Sequence, residues 1–168
     1  MASKVSLQIP RVIWGARDTM RLASDTLASI KLRTSQGIDA NGVKFDDYST
    51  NAIYVSKRGA RLKPKGGRPS RTGRSIFYPG GYAQYKKQSR NPRGGTSTSA
   101  EVDLVLSGNM MNNLVIKEAT ANHFVIGLTK HAQYGYAVNQ KREFLGLTKK
   151  DREILVKAVE IELRKRLT

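Results

Sequence analysis

Leu114-Val115-Ile116-Lys117-Glu118-Ala119 and His123-Phe124-Val125-Ile126-Gly127-Leu128 are two short apolar-rich runs separated by Thr120-Ala121-Asn122. Runs of this length joined by a turn near Ala121-Asn122 predict an antiparallel hairpin. Just upstream, Val102, Leu104 and Leu106 alternate with Asp103, Val105 and Ser107 and predict a further strand. Ser107 or Asn109 then caps a short helix through Met110, Met111 and Leu114. Downstream, Tyr134 to Asn139 predicts another short helix. Thr148 starts the final helix, with Asp151 three residues on as a variant capping box. Ile154, Leu155, Ala158, Val159 and Ile161 are its expected buried face. Arg164, Lys165 and Arg166 lie near its end, where cations complement the helix dipole.

The N-terminal part predicts a long helix over residues 10–36. Ile9, Ile13, Ala16, Met20, Ala23, Leu27 and Ile30 recur at alternating steps of four and three, one helical stripe. Pro10 suits a first turn, where its missing N–H costs nothing. Gly37 followed by Ile38 is a stop signal: glycine takes the left-handed position and the apolar residue folds back. A stripe of this length also fits a coiled-coil seam, but Gly15 inside it argues for a core or subunit-interface helix instead. The expected core joins Ile13, Ala16, Met20, Ala23 and Leu27 to Phe124, Ile126, Phe144, Ile154 and Ala158. Ile38-Asp39-Ala40-Asn41-Gly42-Val43-Lys44-Phe45 carries Asn-Gly between apolar residues, a hairpin signal. Asp39, Asn41, Asp46 and Asp47 do not make a calcium loop, because Val43 and Phe45 stand where oxygen ligands belong. Long helices flanking antiparallel hairpins predict an α+β fold: an N-terminal and a C-terminal helix packed on a small antiparallel sheet.

At 168 residues the chain suits a single domain. It holds no cysteine, which excludes disulfides and thiolate chemistry and suits folding in a reducing cytoplasm. No apolar run is long enough to predict a membrane span, and Met1 to Leu7 lacks the pattern of a secretion leader. The net charge is +17, and it is unevenly placed. Between Asp47 and Glu101 there is no acidic residue, while Lys57, Arg58, Arg61, Lys63, Lys65, Arg68, Arg71, Arg74, Lys86, Lys87, Arg90 and Arg93 all fall there. Such a field attracts a polyanion or an acidic protein surface. Glycine and proline concentrate in the same stretch, so residues 56–100 are expected to be a long basic arm inserted in the domain, holding one short helix at Tyr82 to Lys87. Too poor in apolar residues to fold by itself, the arm is expected to order only in an assembly.

No catalytic constellation is apparent. His123 and His131 are the only histidines, with no zinc-type spacing around them. Pro64-Lys65-Gly66-Gly67-Arg68-Pro69 lacks the ending of a phosphate loop. No enzyme activity, metal or cofactor is expected. Tyr48, Tyr54, Phe77, Tyr78, Tyr82 and Tyr85 lie in or beside the basic stretch, a mixture that suits either nucleic acid or a protein anchor.

Several segments taken together resemble the tail-completion, or neck, proteins that join head to tail in long-tailed bacteriophages. They are the helix leading into Gly37 to Phe45 and then Asp47-Tyr48-Ser49, Leu106-Ser107-Gly108-Asn109-Met110, the strand His123 to Leu128, Tyr136-Ala137-Val138-Asn139-Gln140, and Arg142-Glu143-Phe144-Leu145-Gly146-Leu147-Thr148. The long basic insert is a departure from that family. The resemblance implies a virion protein, assembled in the host cytoplasm into a homo-oligomeric, hexameric ring. Such a ring sits between the head-side connector or stopper and the tail terminator or tail tube, leaving a channel for DNA. The basic arm would contact acidic protein surfaces in preference to the passing DNA. A neighbouring neck role, tail terminator or head-side stopper, is a further alternative. The competing class is a free, non-specific nucleic-acid-binding protein.

Overall fold

The computed structural model describes residues 3–6, 14–58, 65–89, 102–104, 109–130 and 132–167. In chain order these form β1 (Ser3–Ser6), α1 (Ala16–Ser35), β2 (Ile53–Ser56), β3 (Arg68–Pro69), β4 (Ser75–Tyr78), α2 (Gly81–Ser89), α3 (Asn109–Asn112), β5 (Leu114–Ala119), β6 (His123–Leu128), α4 (Ala132–Lys141) and α5 (Lys149–Leu167). The fold is α+β. It divides into two compact units, Met1–Phe45 with Met110–Thr168, and Asp46–Asn109.

The first unit is built on the hairpin β5–β6, with β1 pairing antiparallel on the other side of β6. A bulge at Lys117 shifts the register between Ile116 and Glu118. Phe124, Ile126 and Leu128 point from β6 into the core and are almost wholly buried. Helix α1 packs across β5 and β6.

Helix α1 starts later than periodicity suggests. Gly15 is its N-cap, with the Asp18 carboxylate accepting the Gly15 N–H at 3.0 Å. The expected start at Pro10, with Ile9 and Ile13, lies outside the described residues. The C-terminal stop forms as predicted. Gly37 adopts φ 76°, Ile38 N–H reaches Arg33 C=O and Gly37 N–H reaches Thr34 C=O, each at 3.1 Å, a double closure of the last turn.

The buried face of α1 differs from the expected stripe. Thr19, Leu22, Ala23, Thr26, Ile30, Arg33 and Thr34 are buried, whereas Ala16 is exposed and Met20 is 44% exposed. Threonine enters the core because its hydroxyl can bond back along the helix: Thr26 to Leu22 C=O and Thr34 to Ile30 C=O, both at 2.7 Å. Its methyl then packs like that of valine, so the buried face keeps Ala23 and Ile30 of the expected stripe, leaves Leu27 half-buried and turns toward the threonines.

Helix α5 begins with the expected capping box. Thr148 Oγ1 accepts Asp151 N–H at 3.0 Å and Asp151 Oδ2 accepts Thr148 N–H at 2.9 Å. Its expected buried face is not buried: Ile154 and Ile161 are 55% and 54% exposed, and none of the helix's residues is fully covered. Leu155, Ala158, Val159 and Leu163 are half-buried.

The second unit replaces the expected arm. Strands β2 and β4 pair along their length and β3 adds on the far side of β4. One face carries Ile53, Val55, Ile76 and Tyr78, covered by Tyr82 and Tyr85 of α2. Gly67 adopts φ 68° and passes so close to β4 that a Cβ would lie 2.5 Å from Ile76 Cγ2. Glycine here enables packing instead of disrupting it. Tyrosine supplies the buried area that a count of aliphatic residues misses. Val102 and Asp103 are buried but not in a strand, and Leu104 adopts φ 52°. Residues 105–107 of the predicted strand lie outside the described residues.

Candidate interaction surfaces

In the second unit, alternation along β2 and β4 puts Tyr54 and Phe77 on the face opposite the core. They are direct cross-strand partners, and Arg68 of β3 is the partner of Phe77 on its other side. Directly opposed residues share a face, so Tyr54, Phe77 and Arg68 form a row across the sheet. The Tyr54 and Phe77 rings lie 4.9 Å apart at 40°. Tyr54 is 67% exposed, and Arg68 is exposed beside the row. At the end of this sheet Lys57 N–H donates to Arg74 C=O at 3.0 Å, so two further cations flank the strands. Arg71 sits in the tight turn between β3 and β4, closed by Ser70 N–H to Ser75 C=O at 2.9 Å.

The twelve predicted basic contacts thus separate into three groups. Lys57, Arg58, Lys65, Arg68, Arg71, Arg74 and Lys87 are exposed. Arg61, Lys63, Arg90 and Arg93 lie outside the described residues. Lys86 is a correction: it is wholly buried and forms an ion pair with Asp103. Its ammonium also donates to Tyr48 Oη at 3.3 Å and lies 4.4 Å from the centre of that ring. Lys86 holds the unit together and is not a surface contact. Burial in α2 decides this, since a lysine facing a core must take an acidic partner with it.

The aromatics divide in the same way. Tyr78 and Tyr85 are core, and burial raises the Tyr85 hydroxyl above its ordinary pKa. Tyr78 Oη donates to Lys65 C=O at 2.9 Å. Tyr48 and Tyr82 meet edge to face at 5.0 Å. Tyr54 is exposed and Phe77 half-buried on the sheet's other face.

In the first unit, α1 and α5 run antiparallel and are clamped at both ends. At one end Asp151 receives Ser29 Oγ at 2.6 Å and pairs with Arg33. Arg33 also donates to Phe144 C=O and Gly146 C=O, each at 3.0 Å, while its Nε finds no acceptor. Burial alone pushes the Asp151 carboxyl up. The bonds from Ser29 and Thr148 and the charge of Arg33 outweigh it, and the pKa falls below the usual value. At the other end Arg166 forks onto Asp18 and lies 5.9 Å from the Trp14 ring centre. Its hydrogen bonds are the chief reason the Asp18 carboxyl is lowered. Arg33 was not among the expected site residues. Its place in register with Thr26 and Ile30 was the available signal.

Residues 142–148 link these clamps to the hairpin-like turn after α1. Phe144 is fully buried, Asn139 Oδ1 accepts the Phe144 and Leu145 N–H groups at 3.0 and 2.8 Å, and Ala40 N–H donates to Glu143 C=O at 2.6 Å. The predicted hairpin around Asn41-Gly42 forms but is short: Ile38 bridges Lys44, with Asp39 N–H donating to Val43 C=O and Phe45 N–H to Gly37 C=O, each at 2.7 Å. Asp39 explains this: its Oδ1 accepts both Asn41 and Val43 N–H at 2.8 Å, tying the turn to itself.

Among the described residues no three His, Cys, Asp or Glu side chains converge. His123 is engaged by Glu118 at 2.9 Å and Thr120 at 3.0 Å, and His131 lies outside the described residues. A groove of about 200 Å³ between α1 and α5, lined by Trp14, Asp18, Arg21, Leu22, Ile161 and Glu162 among others, carries no nucleophile–base pair. Among the described residues no helix is long and apolar enough to cross a membrane. No family model, curated protein or solved structure matches the chain.

Proposed function

We propose that this protein is a structural component of a bacteriophage neck, a tail-completion protein that assembles into a ring between head and tail and leaves a channel for DNA. The observation that carries the proposal is helix α5. It has 19 residues, none fully buried, and Ile154, Val156 and Ile161 are each more than half exposed. A helix of this kind draws its stability from tertiary packing, and its outward isoleucines suit a neighbouring subunit better than water. The motifs that resemble the neck family support the same role. Gly37-Ile38 closes α1, residues 142–146 supply the carbonyls that hold Arg33, and Thr148 caps α5. Those positions build the scaffold that presents the helix.

Such a protein needs no active site, cofactor or metal, and it acts in the virion after assembly in the host cytoplasm. Its partners in this role are copies of itself, the head-side connector or stopper, and the tail terminator or tube. The test is sedimentation velocity and negative-stain imaging of the pure chain over a range of concentrations. A closed ring that grows in with concentration is expected. A chain that stays monomeric at every concentration and fails to join heads to tails in a reconstituted mixture overturns the proposal.

A further inference from the structure

The geometry points to the open face of the β2–β4–β3 sheet as a binding surface for single-stranded nucleic acid, with bases stacking on Tyr54 and Phe77 and phosphates held by Arg68, Lys57, Arg71 and Arg74. This goes beyond the neck role and does not require it, since the surface lies within one compact unit.

Four observations converge. The two rings stand side by side on the face turned away from the core. Tyr54 is largely exposed, unlike Tyr78 and Tyr85, which the fold uses internally. Arg68 extends the row across the third strand. From Tyr48 to Ser89 there is no acidic residue, so nothing in that stretch repels a phosphate chain.

The row settles which polyanion fits. Every base has a flat π-face, and aromatic platforms flanked by cations bind single strands with little sequence preference. In a duplex the bases are stacked on each other and only the backbone is offered. An acidic peptide would use the cations but gain little from the exposed ring of Tyr54. Two inter-strand spacings make the row about 10 Å wide, enough for one or two bases, with the turn cations beyond it for the backbone.

Fluorescence anisotropy of labelled dT and rU oligomers of about 12 nucleotides, with a duplex of equal length and polyglutamate as competitors, tests this on the full chain. Both single strands are expected to bind more tightly than the duplex. Tyr54→Ala is expected to weaken single-strand binding by roughly 5- to 100-fold and to leave duplex binding unchanged, while Tyr54→Phe keeps the wild-type affinity. Arg68→Gln is expected to lower the slope of log affinity against log salt by about 0.7. Tyr54 is exposed, so its substitution does not endanger folding, and far-ultraviolet circular dichroism confirms that each variant is intact. Equal affinity for duplex and single strand, an unchanged Tyr54→Ala variant, or polyglutamate competing as well as dT, the mark of an acidic protein partner, would each overturn the inference.

Discussion

Asp151 does several jobs at once. It caps α5, accepts from Ser29 and neutralises the buried Arg33. Removing one partner of a buried pair leaves the other charge uncompensated, at a cost of about 3–5 kcal/mol. Asp151→Asn is therefore expected to lose about that much stability at pH 7 in urea unfolding. The sign with pH follows from the lowered pKa. The carboxylate's contribution is complete above its ordinary value of 3.8 and vanishes as pH falls through the lower folded value. Wild type and variant should therefore converge in acid, and a gap that fails to narrow as the pH is taken below 3.8 would contradict this account. Lys86 and Asp103 invite a parallel experiment in the second unit. Asp103→Asn should destabilise by a similar amount, whereas replacing both partners by Met and Leu should cost much less. Equal losses in the single and double variants would show that the pair is not the source.

Elements differ in how far their packing can be inferred from their own residues. Strand β6 follows its alternation, so Phe124→Ala should cost about 3–5 kcal/mol in thermal or chemical unfolding. Helix α1 follows its apolar stripe only at Ala23 and Ile30. Met20 is 44% exposed, and Met20→Ala should stay within about 0.5 kcal/mol of wild type. Comparable losses in the two variants would place Met20 back in the core. The second unit shows the opposite error. Its glycines and prolines suggest an unstructured arm, but Gly67 allows close approach to β4 and the tyrosines fill the space over the sheet. Composition counts residues. It does not register that one tyrosine buries as much surface as two or three small aliphatic side chains.

For the whole molecule, the decisive quantity is the surface of α5 left uncovered in one chain. Ile154→Asp with Ile161→Asp places charge on that surface without touching the clamps at Asp151 and Arg166. The double variant is expected to keep the thermal midpoint of the monomer within a few degrees and to abolish concentration-dependent assembly in sedimentation. Unchanged assembly would move the subunit contact elsewhere on the molecule. High salt should leave an assembly built on these isoleucines largely intact while weakening single-strand binding steeply, which separates the two surfaces in one titration.

Local chemistry alone determined the α+β class, the closure of α1 at Gly37-Ile38, the hairpin β5–β6 and the capping box of α5. Each rests on φ preferences, alternation or a bond between residues a few positions apart. The short strand β1 carries no such signal, because its pairing with β6 is a long-range contact. Tertiary structure decided the rest: which side of α1 turns inward, that Lys86 is core while Arg68 is surface, that Arg33 meets Asp151, and that Tyr54, Phe77 and Arg68 stand in one row. These depend on what each side chain faces across the fold, and that information is shared between segments far apart in the chain.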